Sequence, residues 1–175
     1  KIPVRNSDGS YGTKLALVPV NRDVHVGYLD YTRKNTLDLA FKYLGNRYGW
    51  GGSLNSRDCS ELVMSVYSCF GFKLPRDVST QSKIPTAQSV ANMTDYEKSV
   101  VLDNTPAGAI LQFKGHEMLY LGKVNGKYYI LNASGSINSN GVNTYINTIT
   151  IYSLDVLRAN GVSFYSAINN VVNIK

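Results

Sequence analysis

Apolar residues recur at Leu37, Ala40, Phe41 and Leu44, the i, i+3, i+4, i+7 spacing of one helical face, and Gly45 follows as a stop. The spacing returns at Leu62, Val63, Val66, Tyr67 and Phe70, closed by Gly71. Asp58-Cys59-Ser60-Glu61 opens this second helix with the spacing of a capping box, Asp standing where Ser or Thr is usual. Between the two helices, Gly45, Gly49, Gly51 and Gly52 surround Tyr48 and Trp50, so residues 45–58 form a tight loop that carries aromatic side chains.

After a polar stretch over residues 75–105 the period changes to two, with β-branched and aromatic residues. Residues 109–114, 117–124 and 127–133 read as strands, the last two joined through Asn125-Gly126 as a hairpin. Further strands are expected at 145–152 and 163–172 with a short helix at 153–159 between them, and the Asn-rich 138–147 reads as a polar loop. Near the N-terminus, 2–5 and 14–19 read as a strand pair around a turn-rich 6–10. Helices first and antiparallel strands afterwards define an α+β class.

A chain of 175 residues, 43% of them hydrophobic, can bury one good core and is near the size of one domain. The net charge of +6 favours an anionic partner or simply a soluble surface, but Lys and Arg are scattered, so no nucleic acid partner is expected. No apolar run approaches the roughly 18 to 20 residues of a membrane span, and no signal-peptide pattern is found. Cys59 and Cys69 fall on one predicted helix, roughly 15 Å apart at about 1.5 Å per residue, too far for a disulfide. Without CxxC or HxxxH spacing, no metal site is expected.

A helix N-terminus favours the thiolate, so Cys59 is the candidate nucleophile, while Cys69 in the last turn reads as packing. An isolated free cysteine is more commonly a packed residue, and the Gly-rich loop and cap before Cys59 argue against that for this one. His116, after Gly115 at the mouth of a hairpin strand, is the candidate base; His25 lies in the N-terminal strand region. Asn132 is the candidate to orient it, and reads also as a strand-end hydrogen bonder. A two-residue Asn125-Gly126 turn would set Asn132 opposite Leu119 and on the face away from His116, so Gly115 or a bulge near His116 must correct the phase.

These residues, from Tyr48-Gly49-Trp50-Gly51-Gly52 through Arg57-Asp58-Cys59-Ser60 to Leu74-Pro75-Arg76-Asp77, Gln81 and Gly115-His116, resemble the NlpC/P60 family of cysteine peptidases. The resemblance implies a papain-like α+β fold with N-terminal helices packed on an antiparallel sheet. It implies Cys59 as nucleophile, His116 as base and Asn132 in the third polar position, with Tyr48 and the Cys59 N–H holding the oxyanion. The expected substrates are peptidoglycan stem peptides, cut between γ-D-glutamate and a diamino acid, with no cofactor, by a secreted or wall-associated bacterial protein.

Gly27 to Arg33 and Asn35 resemble the subgroup in which bacterial SH3 modules precede the catalytic domain and stems with a free N-terminal L-alanine are preferred. Residues 1–30 would then be the tail of an upstream SH3-like module or a linker, and 31–175 the catalytic domain. Asp58, Ser60 and Asp77 take the substrate-binding positions of that subgroup, and Glu61 stands where the family usually has Gly. The alternatives are a papain-like amidase or acyltransferase and a wall-binding module without turnover.

Overall fold

In the computed structural model all 175 residues are described, the side chain of Asn55 excepted. Strands β1 (Ile2–Arg5) and β2 (Tyr11–Lys14) form a hairpin of their own, and an irregular segment with a turn at 19–22 leads from it to Leu29, whose N–H donates to the Cys69 carbonyl. Helix α1 (Arg33–Phe41) is capped by Thr32, whose hydroxyl accepts from the Asn35 N–H. Helix α2 (Cys59–Ser68) is capped by Asp58 as the sequence predicts. Short helix α3 (Val78–Gln81), strand β3 (Ala87–Ser89) and helix α4 (Asp95–Asp103) follow. Then come β4 (Ile110–Phe113), β5 (His116–Val124), β6 (Lys127–Ser139) and β7 (Val142–Ser153), and finally helix α5 (Phe164–Ala167) and β8 (Asn170–Val172).

The six main strands form one sheet in the order β3-β8-β4-β5-β6-β7, antiparallel throughout, which bears out the α+β reading. Strand alternation divides the core in two. On one face Ile110, Leu119, Leu131, Ala133 and Ile149 pack against Leu62, Val63, Val66 and Tyr67 of α2. On the other, Leu111, Met118, Tyr120 and Ile130 pack with Leu102 of α4 and Phe164 of α5. Each of these buried Leu, Ile, Val and Met side chains contributes about 1.5 to 3 kcal/mol, so α2 is fixed on the sheet by its apolar stripe while Cys59 at its N-terminus comes to the Glu117 N–H at the start of β5.

Several expectations are corrected. Helix α1 starts and stops earlier than the apolar spacing suggests, because Thr32 caps it and residues 42–46 turn back through Tyr43 N–H to Ala40 and Leu44 N–H to Phe41 carbonyls. The second N-terminal strand is Tyr11–Lys14 rather than 14–19. The Asn-rich 138–147 is no loop: β6 and β7 run through it as a long hairpin turned at Asn140-Gly141, with φ of 53° and 82°. The expected helix at 153–159 is absent: Ser153 ends β7 and residues 154–159 are turns and isolated bridges, because the Leu154 N–H donates to the Tyr128 carbonyl and Leu157 bridges both Asn138 and Ser163. The expected strand at 163–172 is one helical turn, capped by the Ser163 hydroxyl, and then β8. Within the polar stretch, α4 has a full capping box between Thr94 and Glu97.

Behind the N-terminus of α2 lies a buried polar cluster. Glu117 of β5 is 1% exposed and its Oε2 accepts from Gln112 Nε2 at 2.8 Å; Gln112 Oε1 in turn accepts from Asn170 Nδ2 at 2.9 Å. Gln81 Nε2 donates to the Pro75 carbonyl at 2.8 Å, so its Oε1 faces the other way. Among the described residues Glu117 Oε1 and Gln81 Oε1 both lack a hydrogen-bond partner. Burial pushes the Glu117 carboxyl up to about 7, with the Gln112 amide acting against it.

Because the folded pKa is raised, the native state holds a proton that the unfolded chain has lost between pH 4.5 and about 7, and stability falls as pH rises through that window. The shift corresponds to about 3 kcal/mol. A Glu117→Gln amide can accept from Gln112 as the carboxyl does and does not titrate. Denaturant unfolding should therefore find Glu117→Gln equal to the parent near pH 4 and more stable by up to about 3 kcal/mol near pH 8. A difference that does not change with pH would refute the raised Glu117 pKa.

Candidate active site

The Gly-rich loop is built by close approach. A Cβ on Gly49 would stand 1.7 Å from Ser56 Oγ, so only glycine fits, and Gly51 and Gly52 take φ of 74° and 73°, the left-handed region. The loop is clipped to β7 by the Gly45 N–H on the Ile149 carbonyl (2.9 Å) and the Tyr48 N–H on the Asn147 carbonyl (3.0 Å). This holds Tyr48 against the cleft and leaves Trp50 85% exposed at its lip.

Asp58 joins that loop to α2. Its Oδ1 accepts from the Glu61 N–H (2.9 Å) and the Ser60 hydroxyl (3.2 Å), and its Oδ2 from the Gly51 N–H (2.9 Å) and Arg76 Nη2 (2.5 Å). Arg76 Nη1 also donates to Ser60 Oγ at 2.5 Å. Burial by itself would push the Asp58 carboxyl up, but Arg76 and the Glu61 and Gly51 N–H groups outweigh it and hold it below the usual carboxylate value. With four donors on two oxygens, Asp58 is saturated.

His116 and Asn132 meet across β5 and β6. A bulge between Tyr120 and Gly122 shifts the pairing, so that Leu119 faces Leu131 and Tyr120 faces Ile130. Carried on, this register sets Asn132 opposite Met118, on the face of His116. The phase correction lies at Leu121 rather than beside His116. Asn132 Oδ1 and His116 Nε2 are 2.7 Å apart. An amide oxygen only accepts, so Nε2 carries the proton and Nδ1 keeps its lone pair. Asn132 is fully buried, and among the described residues its Nδ2 has no partner, so the imidazole is its one hydrogen-bonded contact.

Burial pushes the His116 imidazole down to about 4, against the bond to Asn132, which acts the other way. Burial likewise pushes the Cys59 thiol up; the charges of Glu117 and Asp58 add to this, while the Glu117 and Ser60 N–H groups at the sulfur act against it. The sequence expectation of a lowered thiol pKa is thus corrected: the helix N-terminus is present, but Cys59 is 9% exposed and has carboxyl groups nearby. The resting pair is neutral thiol and neutral imidazole.

Six of the seven sequence-predicted site residues, Tyr48, Asp58, Cys59, Ser60, Asp77 and His116, line one cleft of about 450 Å³, and Asn132 stands behind His116. Ser60, like Asp58, is occupied by internal bonds, whereas Asp77 is exposed and has no side-chain hydrogen bond or ion pair among the described residues. His25 is exposed and apart from the cleft, with its Nδ1 near the Gly27 carbonyl. Cys59 and Cys69 are both free thiols. Among the described residues no group of three metal-ligating side chains comes together. Sequence reasoning missed Arg76 as the partner of Asp58, although it stands within the Pro75-Arg76-Asp77 run, and Glu117, a carboxylate inside an otherwise apolar strand.

The NlpC/P60 family model matches residues 45–155. Dipeptidyl-peptidase 6 of Lysinibacillus sphaericus is 30% identical over 112 residues, 63% of this chain and 35% of that protein. The structure of an NlpC/P60 endopeptidase from Photobacterium damselae subsp. piscicida superposes with a TM-score of 0.80 at 22% identity, over 98% of this chain and 45% of that one. The NlpC/p60 domain of the peptidoglycan hydrolase SagA gives 0.51 at 17% identity, over 82% of this chain and 100% of that domain. The chain thus spans about a third of the curated relative and under half of the Photobacterium protein. With the fold shared and the family pattern running from the glycine loop across the sheet, this chain belongs to the NlpC/P60 family.

Proposed function

We propose that the chain is a cysteine peptidase that hydrolyses peptidoglycan stem peptides at the bond between γ-D-glutamate and the following diamino acid. The observation that carries this is the 2.7 Å contact of His116 Nε2 with Asn132, which leaves Nδ1 as the acceptor in the cleft that Cys59 lines. The names of the relatives, an endopeptidase, a peptidoglycan hydrolase and a dipeptidyl-peptidase, agree with it.

In the reaction Cys59 Sγ attacks the scissile carbonyl carbon as its proton passes to His116 Nδ1. The oxyanion is held by the Cys59 N–H and the Tyr48 hydroxyl. Burial, with Cys59 and Asp58 close by, pushes the Tyr48 phenol up, so it remains a donor. Collapse breaks the C–N bond, and the imidazolium returns the proton to the leaving nitrogen. Water then attacks the thioester, giving its proton to His116, and the freed thiolate takes that proton back.

At the acyl side, Asp77 is the free carboxylate for a substrate ammonium, while Asp58 and Ser60 act by fixing Arg76. This supports stems with a free N-terminal L-alanine. Residues 1–30 are read as the tail of an SH3-like module on the resemblance carried by Gly27 to Arg33 and Asn35. No helix is long and apolar enough to cross a membrane. A peptidoglycan substrate puts the work at the cell wall.

Defined stem peptides with free or acetylated N-termini, followed by mass spectrometry, test the reading. Cleavage after γ-D-glutamate should vanish in Cys59→Ala and fall about 10²-fold in Asn132→Ala, which leaves the ring unaligned. No turnover on any stem would instead favour a wall-binding module. Asp77→Asn should remove most of the preference for free over acetylated stems; an unchanged preference would take that role from Asp77. Since His116 must be neutral to accept the thiol proton, the acid limb of kcat/KM should have its midpoint near 4. A midpoint near 6.5 would contradict the buried imidazole.

A further inference from the structure

Two hollows meet at His116. The cleft with Cys59, Asp58, Ser60 and Asp77 is one; the other, about 360 Å³, is lined by Phe113, Ser134, Ser136 and Arg158 and shares Tyr48, Gly115 and His116 with the first. In the reaction proposed above, the residue that protonates the departing nitrogen must face the departing fragment. His116 borders both hollows and Cys59 only the first. The second hollow is therefore on the leaving side.

Arg158 stands there as a prepared cation. It belongs to a tight turn in which its N–H donates to the Val162 carbonyl (2.9 Å), its carbonyl accepts from the Gly161 N–H (2.8 Å) and Asn160 Oδ1 accepts from the Val162 N–H (3.2 Å). Its guanidinium lies 4.1 Å from the centroid of Phe113, whose ring packs at 5.0 Å on His116 and 6.1 Å on Phe164. Among the described residues nothing pairs with this guanidinium: it has neither a salt bridge nor a side-chain hydrogen bond. Arg76, by contrast, is bound to Asp58 and Ser60, and Arg57 to Ser65 and the Tyr43 face.

A bare cation here works against the chemistry, because the base beside it must become positive; its charge adds to the depression of the His116 imidazole. An anion delivered by the substrate would cancel that effect. The remaining charge near this hollow is Lys114, also positive, on its lining.

We propose that this groove takes the departing diamino acid and that Arg158 pairs with a carboxylate on its side chain, which makes the enzyme selective for diaminopimelate over lysine at the third stem position. The inference rests on the peptidase reading above. Within a tetrapeptide stem the α-carboxyl of the third residue is tied up in the next peptide bond. Diaminopimelate still carries a side-chain carboxylate, which a guanidinium binds in a fork. Lysine offers only an ammonium, which would meet two like charges.

The test uses the tetrapeptides L-Ala-γ-D-Glu-X-D-Ala with X as meso-diaminopimelate or L-lysine, comparing kcat/KM. The parent should favour diaminopimelate by about tenfold to hundredfold, the worth of a charged hydrogen-bonded pair. Arg158→Gln should shrink that ratio to within a few-fold, and Arg158→Lys should fall between them. Equal use of both stems by the parent, or an equal loss on both in Arg158→Gln, overturns the proposal. Calorimetric titration of Cys59→Ala with the dipeptides diaminopimelyl-D-Ala and lysyl-D-Ala separates this from the reaction itself. If neither tetrapeptide is cleaved, the peptidase reading falls; tighter diaminopimelyl binding that Arg158→Gln abolishes would still uphold the Arg158 site, and equal or absent binding would remove it too.

Discussion

The Asp58 carboxylate is the constraint on which the site depends. One side chain caps α2 through the Glu61 N–H, fixes the glycine loop through the Gly51 N–H and anchors Arg76 from the segment after Pro75. Three pieces of chain are thereby referred to one point, next to Cys59. A carboxylate this buried is tolerable because every lone pair has a donor, one of them charged. Under the proposed function, this saturation leaves the substrate ammonium to Asp77. The loop glycines follow from this geometry, since the Gly51 N–H reaches Asp58 from a left-handed residue, and the chain before it passes Ser56 too closely for any side chain.

Around this point burial shifts His116 and Glu117 in opposite directions, and their effects on stability oppose one another. His116, shifted down to about 4, leaves the native state short of a proton that the unfolded chain takes up below 6.5, so stability falls as pH drops through that window. Glu117, shifted up to about 7, gives the reverse slope from 4.5 upward. Over the shared range from 4.5 to 6.5 the two slopes largely cancel. Glu117 also matters to Cys59, because its ionised form pushes the thiol up while its backbone N–H at the sulfur acts the other way.

The sequence was legible where chemistry and local geometry coincide in a few neighbouring residues. The cap at Asp58 and the Asn125-Gly126 turn involve contacts within four residues and the glycine loop contacts within seven, and each was read correctly. Asn140-Gly141 had the same turn signal, but the polar residues around it hid two strands, because the outer part of that hairpin is largely exposed on both faces and shows no alternation. Helix α4 was hidden in the same way, although its Thr94 and Glu97 carry the capping spacing. The link between His116 and Asn132 depends on a bulge at Leu121, and a one-residue phase change has no mark in composition. The roles of Arg76 and Glu117 depend on contacts 18 and 5 residues away in the chain, set only by the fold.

Charge in the cleft has a direction that net charge does not express. On the acyl side Asp58 is neutralised by Arg76, so the free charge is the carboxylate of Asp77; across His116 the free charge is the guanidinium of Arg158. A substrate with an ammonium at one end and a carboxylate beyond the scissile bond is drawn in with one polarity and disfavoured in the other, because reversal sets like charges together at both ends. Coulomb forces in a partly solvated cleft are modest for any single pair, but two opposed ends act on the same choice and in the same sense. In the proposed reaction this polarity would set the orientation before Cys59 meets the carbonyl, and the packing of Phe113 between His116 and Arg158 keeps the cation close to the base.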